Sequence, residues 1–447
     1  MIQQWSWGYW LLKQYVRFAW WLFHRRMVIV GKENIPAQQP VIFASNHPNA
    51  LSDILCLVIA VPRQVVWMGR ASLFNNHWVR PILHFLKIFP VYRIRDGKDS
   101  LQGNEASFAT AVDILRNNGA LGIYPEAAHS GQRKMLSHKK AIPRIVFMAG
   151  EMTHDTLDIQ IVPVGIHYDQ YFRFGRRVLV TIGKPLPARD YYAQYHENQR
   201  LATQNLRDDI HGAILPLVLD YRSGEFYEGF EALRELAGRP FSREWGLPAT
   251  MPGDLLGEQR LAARLDTLAA THPDKAASLA ANGLALLHDF RHHKVRSWLT
   301  CPGEEKTSKA LLHALLLLLS LPLFLFGWCF NIIPFAGLWH IIRRKAADPV
   351  WISTFTFGLG ILVFPLFYLL EMMAAGPLLP GWPLKLLFLL SLPFAGKFSF
   401  SWYILYLKTR GRWRWLQIKK RKPDLYRNLR SRQEEIMKEL SLLPDPA

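Results

Sequence analysis

The stretch VIFASNHPNALSD, residues 41–53, determines how the rest of the chain is interpreted. Its first four residues are apolar and partly β-branched, which predicts a buried strand. The proline that follows His47 cannot continue a ladder of backbone hydrogen bonds, so the chain must turn there. We predict that Ser52 caps the next helix and that Asp53 opens it. His47 and Asp53 would then lie together at the carboxyl end of a strand, a favoured place for chemistry in α/β folds.

A histidine beside a carboxylate can act as an acid–base pair. A neutral imidazole takes a proton from an alcohol near neutral pH, and the carboxylate fixes its tautomer and stabilises the imidazolium. We therefore predict that His47 is a catalytic base and that Asp53 orients it. The alternative is that His47 only closes a turn and that Asp53 only lies in the first turn of a helix, where the helix dipole favours negative charge.

Composition limits the possible partners. The chain has 447 residues, enough for two or three domains, and a formal net charge of +19. Such a charge indicates an anionic partner: nucleic acid, an anionic bilayer surface or a phosphorylated small substrate. Apolar stretches near the C-terminus favour the bilayer over nucleic acid. Cys56, Cys301 and Cys329 are far apart and form no C-x-x-C pair, so we predict neither a disulfide framework nor a bound metal, in a domain that faces the cytoplasm.

Residues 27–189 show the pattern of an α/β domain. Short apolar runs predict strands, and longer amphipathic runs between them predict helices. Strands separated by helices predict a mixed, largely parallel sheet flanked by helices. The predicted strands are residues 27–30, 41–44, 65–67, 88–92, 120–124, 159–166 and 178–182, and the predicted helices include residues 100–117 and 140–152.

Basic residues follow two of these strands. Arg93 and Arg95 come directly after the fourth strand, where their forked guanidinium groups could hold a phosphate. Arg133 and Lys139 lie in the loop after the fifth strand. The alternative is that these residues only make the loops soluble.

Two further positions stand out near the strand ends. Glu126 follows the fifth strand directly, and its carboxylate could align a hydroxyl or one of the arginines. Pro163 interrupts the sixth strand, which predicts an edge or rim position near a ligand.

Four segments, taken in order, resemble the four sequence blocks of the glycerolipid acyltransferase family, which includes lysophosphatidate and glycerol-3-phosphate acyltransferases. They are NHPNALSD, FPVYRIR, YPEAAHSG and IVPVGIH, and the resemblance covers roughly residues 41–185. It implies that His47 and Asp53 are the catalytic pair and that Arg93, with Arg95 nearby, contacts the substrate phosphate. It also places Glu126 in the third block, which we expect to belong to the phosphate-binding site.

The resemblance further implies that the neighbours of Pro163 shape the site of the acyl donor. The donor would be a thioester, either acyl-CoA or acyl-carrier protein, and no cofactor or metal would be needed. The acceptor would be glycerol-3-phosphate or its monoacylated form, a lysophospholipid.

The sequence departs from the common family pattern in two places. Five residues, PNALS, separate His47 and Asp53, whereas the commonest first block has four. This spacing resembles a sub-branch that includes fungal glycerol-3-phosphate and dihydroxyacetone-phosphate acyltransferases. In the third block, Ala127 and His129 replace the usual Gly and Arg. Phosphate binding could therefore fall to several basic residues, namely Arg93, Arg95, Arg133, Lys139 and Arg144.

The first 26 residues are predicted to form an interfacial helix. Trp, Tyr and Phe are dense between Trp5 and Arg26, and basic residues lie among them. Aromatic and basic residues together suit the headgroup level of a bilayer better than its hydrocarbon core. The alternative is a core helix with an aromatic face.

The second half predicts a helical extension over residues 190–305, which are rich in Leu, Ala and charged residues. A membrane region is predicted over residues 306–410, and a basic cytoplasmic tail over residues 411–447. The alternative for the apolar runs is that they are buried helices of a large soluble domain.

Within the membrane region, no Lys, Arg, Asp or Glu occurs between Lys309 and Arg343. One straight helix of that length would exceed a hydrocarbon core of about 30 Å, and the internal Pro and Gly residues predict a re-entrant hairpin. The runs 349–370 and 383–407 predict about two transmembrane helices. The positive-inside rule then places the catalytic domain in the cytoplasm.

We therefore expect a multi-pass membrane O-acyltransferase of phospholipid synthesis, whose partners are the lipid bilayer, a glycerol-phosphate or lysophospholipid acceptor and an acyl thioester, with no nucleic acid. The alternatives are an acyltransferase for another lysophospholipid or an amino-acid lipid, and a non-catalytic lipid-binding membrane scaffold.

Overall fold

The computed structural model describes residues 1–92, 100–171, 174–301, 303–346 and 350–444. The chain forms two compact units, one of Met1–Val218 with Ala346–Phe357 and one of Leu219–Lys345 with Gly358–Ala447. The segment boundaries predicted after residues 26, 189, 305 and 410 mark changes of composition, and they stay predictions.

The first unit contains one mixed sheet with helices between its strands. Its helices within the described residues are α1 Trp7–Phe23, α2 Leu51–Ala60, α3 Val79–Phe85, α4 Ser100–Arg116, α5 Ala141–Thr153, α6 Tyr192–Glu197 and α7 Gln199–Ile214. Its strands are β1 Arg26–Val30, β2 Val41–Ser45, β3 Val66–Arg70, β4 Ile88–Val91, β5 Ala120–Ile123, β6 Gln160–Tyr168, β7 Arg177–Ile182 and β8 Leu186–Pro187.

The strand order is β1-β7-β6-β2-β5-β3-β4, and β8 pairs with β6. All pairs in this order are parallel except β6 with β7, which is antiparallel. The predicted fold class, a mixed and largely parallel sheet flanked by helices, is therefore confirmed. Each strand predicted from the sequence is found to within three residues at either end, whereas the short β8 and α3 were not predicted.

The central strand β2 places the beginning of residues 41–53 in the core. All five of its residues are buried, because β5 and β6 flank it and helices cover the sheet. Ile42 and Ala44 belong to a cluster that includes residues of α4 and α5, such as Leu115 and Ile145. A strand buried on both faces explains the unbroken apolar run.

The position of Pro163 differs from the prediction. It lies in β6, which is a central strand and not an edge, and it is buried. Its carbonyl accepts a hydrogen bond from the N–H of Gly183 (2.8 Å). The nitrogen of Pro163 faces the same side of β6 as this carbonyl. On that side the strand paired with β6 changes from β8 to β7, so the ladder of backbone hydrogen bonds is already interrupted. The expected edge position was therefore wrong, because a break in the neighbouring strand accommodates the missing N–H.

The start of α2 also differs from the prediction. The helix begins at Leu51, after Ala50, and Ser52 lies inside its first turn and is not its cap. Instead, Asp53 accepts a hydrogen bond from the backbone N–H of Asn49 (2.6 Å). A carboxylate in the first turn that reaches back to a free N–H has the same effect as a capping box.

Helix α1 has two different faces. Tyr9, Lys13, Val16, Trp20 and Phe23 are buried at helical spacing, and the Lys13 ammonium donates to the carbonyl of Val61 (2.6 Å). Large rings and an aliphatic side chain are exposed elsewhere on the helix, namely Trp7, Trp10, Leu11, Phe18 and Trp21. One face thus packs on the unit, and the predicted interfacial role of the other stays a prediction.

The second unit is helical in its described part, as expected for residues 190–305. Its helices are α8 Tyr227–Glu244, α9 Met251–Thr271, α10 Pro273–His292, α11 Thr307–Leu319, α12 Leu321–Lys345, most of α13 Val350–Ala375, α14 Gly381–Arg421 and α15 Pro423–Ser441.

The predicted re-entrant hairpin is not found. Trp402 of α14 donates its ring N–H to the carbonyl of Leu317 in α11 (3.1 Å) and stacks on Phe324 of α12 (centroids 4.0 Å apart). Farther along, Asn331 donates to the carbonyl of Leu392 (3.2 Å). Because later residues of α11 and α12 meet earlier residues of α14, the two helices continue in one direction, antiparallel to α14. The hairpin prediction was wrong, since the internal prolines did not reverse the chain.

In the part of the chain that the structure covers, three helical segments are long and apolar enough to cross a membrane. They are Leu321–Lys345, Trp351–Leu378 and Gly381–Arg421, judged by length and composition.

Gly122 offers a test of the packing beneath the end of β5. A Cβ atom there would lie 2.2 Å from the ring of Trp67, which is 4% exposed and cannot move freely. We expect Gly122→Ala to lower the free energy of unfolding by about 1–3 kcal/mol. The matched control is Gly212→Ala in α7, where nothing lies within 4 Å of the added carbon, and it should stabilise the protein by about 0.5–1 kcal/mol. Thermal unfolding in detergent measures both, and equal shifts of Tm would contradict the close packing.

Candidate active site

The structure brings His47 and Asp53 together. Nδ1 of His47 lies 2.9 Å from Oδ2 of Asp53, and the side chains are 15% and 0% exposed. The Asp53 carboxylate also accepts bonds from two other groups, so it takes the Nδ1 proton as acceptor and the imidazole carries its lone pair on Nε2. This is the tautomer that a general base requires.

Three donors hold the buried Asp53 carboxylate. Oδ2 accepts from His47 and from the backbone N–H of Asn49 (2.6 Å), and Oδ1 accepts from the hydroxyl of Tyr168 (2.7 Å). Burial raises the pKa of the Tyr168 hydroxyl well above its ordinary value, and the Asp53 charge adds to this effect. Tyr168 therefore remains a donor at physiological pH.

A buried cation lies close to this carboxylate. Arg176 is 2% exposed, and its guanidinium lies over the ring of Tyr168, 4.6 Å from the centroid. It donates to the hydroxyl of Ser52 (2.8 Å) and to Nε2 of His24 (3.1 Å). Burial lowers the pKa of Arg176, and the Asp53 charge works against this shift. Arg176 thus supplies positive charge near Asp53 without a direct ion pair.

Aromatic rings fix the plane of the His47 imidazole. It stacks on Tyr124 with centroids 4.2 Å apart, and Tyr124 stacks in turn toward Trp67 at 6.1 Å. The ring of His129 meets His47 edge-on at 6.0 Å. Since Nδ1 is held by Asp53 and one ring face by Tyr124, the imidazole has little freedom to rotate.

Glu126 is a buried residue that bonds to backbone amides of two loops. It is 3% exposed, and its two carboxylate oxygens accept from the backbone N–H groups of His47 (3.1 Å) and Leu136 (3.2 Å). Glu126 therefore joins the loop that carries His47 to the loop after β5. The expectation that Glu126 aligns a hydroxyl or an arginine within the phosphate-binding site stays a prediction.

Arg133 is also engaged inside the protein. It is 2% exposed, and its guanidinium donates to the carbonyls of Tyr168 (2.9 Å) and Asp169 (3.1 Å). The predicted contact of Arg133 with phosphate stays a prediction. The group holds the loop after β5 against the end of β6.

The remaining predicted residues are placed as follows. The side chain of Lys139 is exposed, and its backbone N–H donates to the carbonyl of Pro125 (2.7 Å). Arg93 and Arg95 lie outside the described residues. Pro163 is buried in the sheet, and the expectation that its neighbours shape an acyl-donor site stays a prediction.

Tyr168, Asn49 and Arg176 were missed by the sequence reasoning. Tyr168 follows the segment IVPVGIH by one residue, so the block was read one position too short. Asn49 acts through its backbone N–H, which no side-chain pattern reveals. No group of three or more His, Cys, Asp or Glu that could hold a metal occurs among the residues with described positions.

Comparisons with known proteins concern the first unit. Residues 26–167 match the model of the family described as Acyltransferase. The 1-acyl-sn-glycerol-3-phosphate acyltransferase of Bacillus subtilis (strain 168) is 26% identical over 178 residues, which are 39% of this chain and 80% of that protein. The glycerol-3-phosphate O-acyltransferase 1 of Saccharomyces cerevisiae is 26% identical over 137 residues, which are 30% of this chain and only 18% of that protein.

Among solved structures, the 1-acyl-sn-glycerophosphate (LPA) acyltransferase PlsC from Thermotoga maritima shares 20% identity over 47% of this chain and 78% of that one. The TM-score is 0.35, which is too low to support an argument from that structure.

Removal of the Tyr168 hydroxyl tests the support of Asp53. Tyr168→Phe leaves the buried carboxylate with one donor fewer, and a hydrogen bond to a charged group contributes about 1.5–3 kcal/mol. We expect the rate of acyl transfer to fall about 10- to 100-fold, measured as product formed per enzyme. Tyr192→Phe is the control, because its hydroxyl makes only a long bond to the Leu157 carbonyl (3.4 Å). Full activity of Tyr168→Phe would exclude the proposed support.

Proposed function

We propose that this protein, whose residues 26–167 match the model of the family described as Acyltransferase, transfers a fatty acyl group from a thioester to a hydroxyl of glycerol-3-phosphate or 1-acylglycerol-3-phosphate. The single observation that carries the proposal is the His47–Asp53 pair at 2.9 Å. It lies inside the region that matches the family, at the two positions that the resemblance assigns to catalysis.

The reaction needs one base and no covalent intermediate on the protein. Nε2 of His47 takes the proton of the acceptor hydroxyl while the oxygen attacks the thioester carbonyl carbon. The carbon–sulfur bond then breaks, and the imidazolium returns the proton to the departing thiolate. Asp53 stabilises the imidazolium, and the stacked ring of Tyr124 keeps it in place for both proton transfers.

Recognition of the acceptor phosphate falls to basic residues near the strand ends. We assign it to Arg93 and Arg95, on the resemblance alone, with Lys139 as a further candidate because its side chain is exposed on the loop after β5. Glu126 and Arg133 would contribute indirectly, since they fix that loop relative to His47.

The protein would act at a membrane, where a monoacylated acceptor and its product both reside. Support comes from the three apolar helical segments and from the exposed rings of α1. We propose a multi-pass protein with its acyltransferase domain facing the cytoplasm, because Lys and Arg are concentrated in residues 408–422. The donor is acyl-CoA or acyl-carrier protein, and the product would enter phospholipid synthesis.

An acceptor panel tests the function. Purified protein in detergent receives a labelled acyl-CoA or acyl-carrier protein with glycerol-3-phosphate, lysophosphatidate, lysophosphatidylcholine or a lyso-amino-acid lipid. We expect free thiol and an acylated glycerol phosphate, identified by mass spectrometry. His47→Ala should lower the rate about 100- to 10,000-fold, whereas His288→Ala, a change of an exposed residue, should not. If only lysophosphatidylcholine or the lyso-amino-acid lipid is acylated, the proposed acceptor is wrong. If no combination of donor and acceptor releases thiol, the result favours a lipid-binding scaffold.

Labelling of single cysteines tests the orientation. In a cysteine-free background, Leu378→Cys lies between α13 and α14 at an exposed position, and Ser441→Cys lies at the end of α15. In sealed spheroplasts, an impermeant maleimide should label the first and not the second. Protection of both until the membrane is opened would contradict a multi-pass arrangement.

A further inference from the structure

The first turns of α13 lie in the catalytic unit, about 300 residues after the His47 loop in sequence. Residues 346–357 belong to the same compact unit as residues 1–218. Phe357 is 3% exposed and contacts the rings of Trp20 and Phe23, at centroid distances of 5.4 Å each. This segment lies far outside residues 26–167, which match the family. Its contribution to the site therefore cannot be read from the family resemblance.

Ser353 is the residue of this segment that contacts the catalytic loop. It is 2% exposed, and its hydroxyl donates to the side-chain carbonyl of Asn49 (2.8 Å). The side-chain N–H of Asn49 donates to the carbonyl of Tyr171 (2.8 Å), and its backbone N–H donates to Asp53 (2.6 Å). Ser353 thus holds the side chain of the same residue whose backbone holds the catalytic carboxylate.

The other side of Ser353 connects to the buried cation. Its hydroxyl oxygen lies 3.5 Å from the hydroxyl of Ser52, which accepts from Arg176 (2.8 Å). The hydrogen bonds can therefore all run in one direction, with Arg176 donating to Ser52, Ser52 to Ser353 and Ser353 to Asn49. Such a chain of hydrogen bonds polarises its members and costs more to break than a single exposed bond.

The backbone next to Asn49 needs this support. Ala50 has φ 42° and ψ −126°, a conformation that residues with a Cβ atom seldom adopt and that persists only when the surroundings impose it. Asn49 immediately precedes it and is fully buried. A neighbour that fixes the Asn49 side chain also restricts the relaxation of this strained turn.

A second residue of α13 lies close to the base itself. The ring of Trp351 meets His129 edge-on at 5.4 Å, and His129 meets His47 edge-on at 6.0 Å. The first turn of α13 therefore reaches the catalytic pair at two points, through Asn49 toward Asp53 and through His129 toward His47.

We propose that Ser353 is a positioning residue of the acyl-transfer site, and that the start of the apolar helix α13 completes a catalytic loop that the family domain supplies only in part. The rate measurement that tests this inference rests on the proposed function. The effect of Ser353 on the position of His47 can be tested without turnover.

The experiment compares Ser353→Ala with Thr356→Val in the full-length protein. Thr356 is one turn farther along the same helix, and its hydroxyl bonds to the Ile352 carbonyl of its own helix (2.6 Å). We expect Ser353→Ala to lower kcat about tenfold, with KM for donor and acceptor changed less than about twofold and with the protein still folded at the assay temperature. Thr356→Val should match the parent in all of these quantities.

A second measurement does not depend on turnover. Carbethoxylation of His47 by diethyl pyrocarbonate is followed by mass spectrometry, relative to the exposed His288 of the same molecule. We expect Ser353→Ala to change the relative rate at His47 and Thr356→Val to leave it unchanged. If the parent transfers no acyl group, the proposed function fails while this measurement still tests Ser353. The inference would be overturned if Ser353→Ala and Thr356→Val gave the same kcat and the same relative rate of carbethoxylation at His47. It would also be overturned if the changes in Ser353→Ala were explained by a lowered Tm alone.

Discussion

The structure of the catalytic unit depends on one buried charge, the carboxylate of Asp53. A carboxylate removed from water is costly unless donors replace its hydration. Here the donors come from an imidazole, a backbone amide and a phenol, which belong to the loop after β2 and to β6. The requirement to satisfy this group therefore fixes the tautomer of His47, the turn at Asn49 and the position of the end of β6 together.

Two charged residues near the site bond to the backbone of its loops. Glu126 accepts from two backbone amides, and Arg133 donates to two carbonyls. Both side chains are nearly fully buried, so each satisfies main-chain groups of loops that lack a regular ladder. A charge at the end of a strand is thus ambiguous in sequence, because it can fix a loop from within as well as bind a ligand.

The sequence predicted the fold well where a local pattern was sufficient. The buried strands follow from their apolar runs, and the helices between them follow from their periodicity. The position of Pro163 was misjudged because it depends on where β8 ends and β7 begins, which is a matter of pairing and not of composition. The hairpin expected between Lys309 and Arg343 was also wrong, since contacts with α14 hold α12 as one helix. Within the site, the pairing of His47 with Asp53 was predicted from their spacing in the sequence. The contact of the Tyr168 phenol with Asp53 was not predicted, because only the register of β6 brings the two together.

The attachment of α1 has a mechanical consequence. Lys13 is buried on the inner face of this helix and donates to the carbonyls of Val61 and Arg63, just after α2, and α2 contains Asp53. Burial lowers the pKa of Lys13 to about 8, so the ammonium is still the main form near neutral pH and the tie is maintained. The outward rings of α1 and the imidazole of His47 therefore belong to one compact unit. The depth at which those rings lie in a lipid headgroup layer would set the height of the His47 imidazole above the acyl chains. That height would determine how far an acceptor must move out of the bilayer to react.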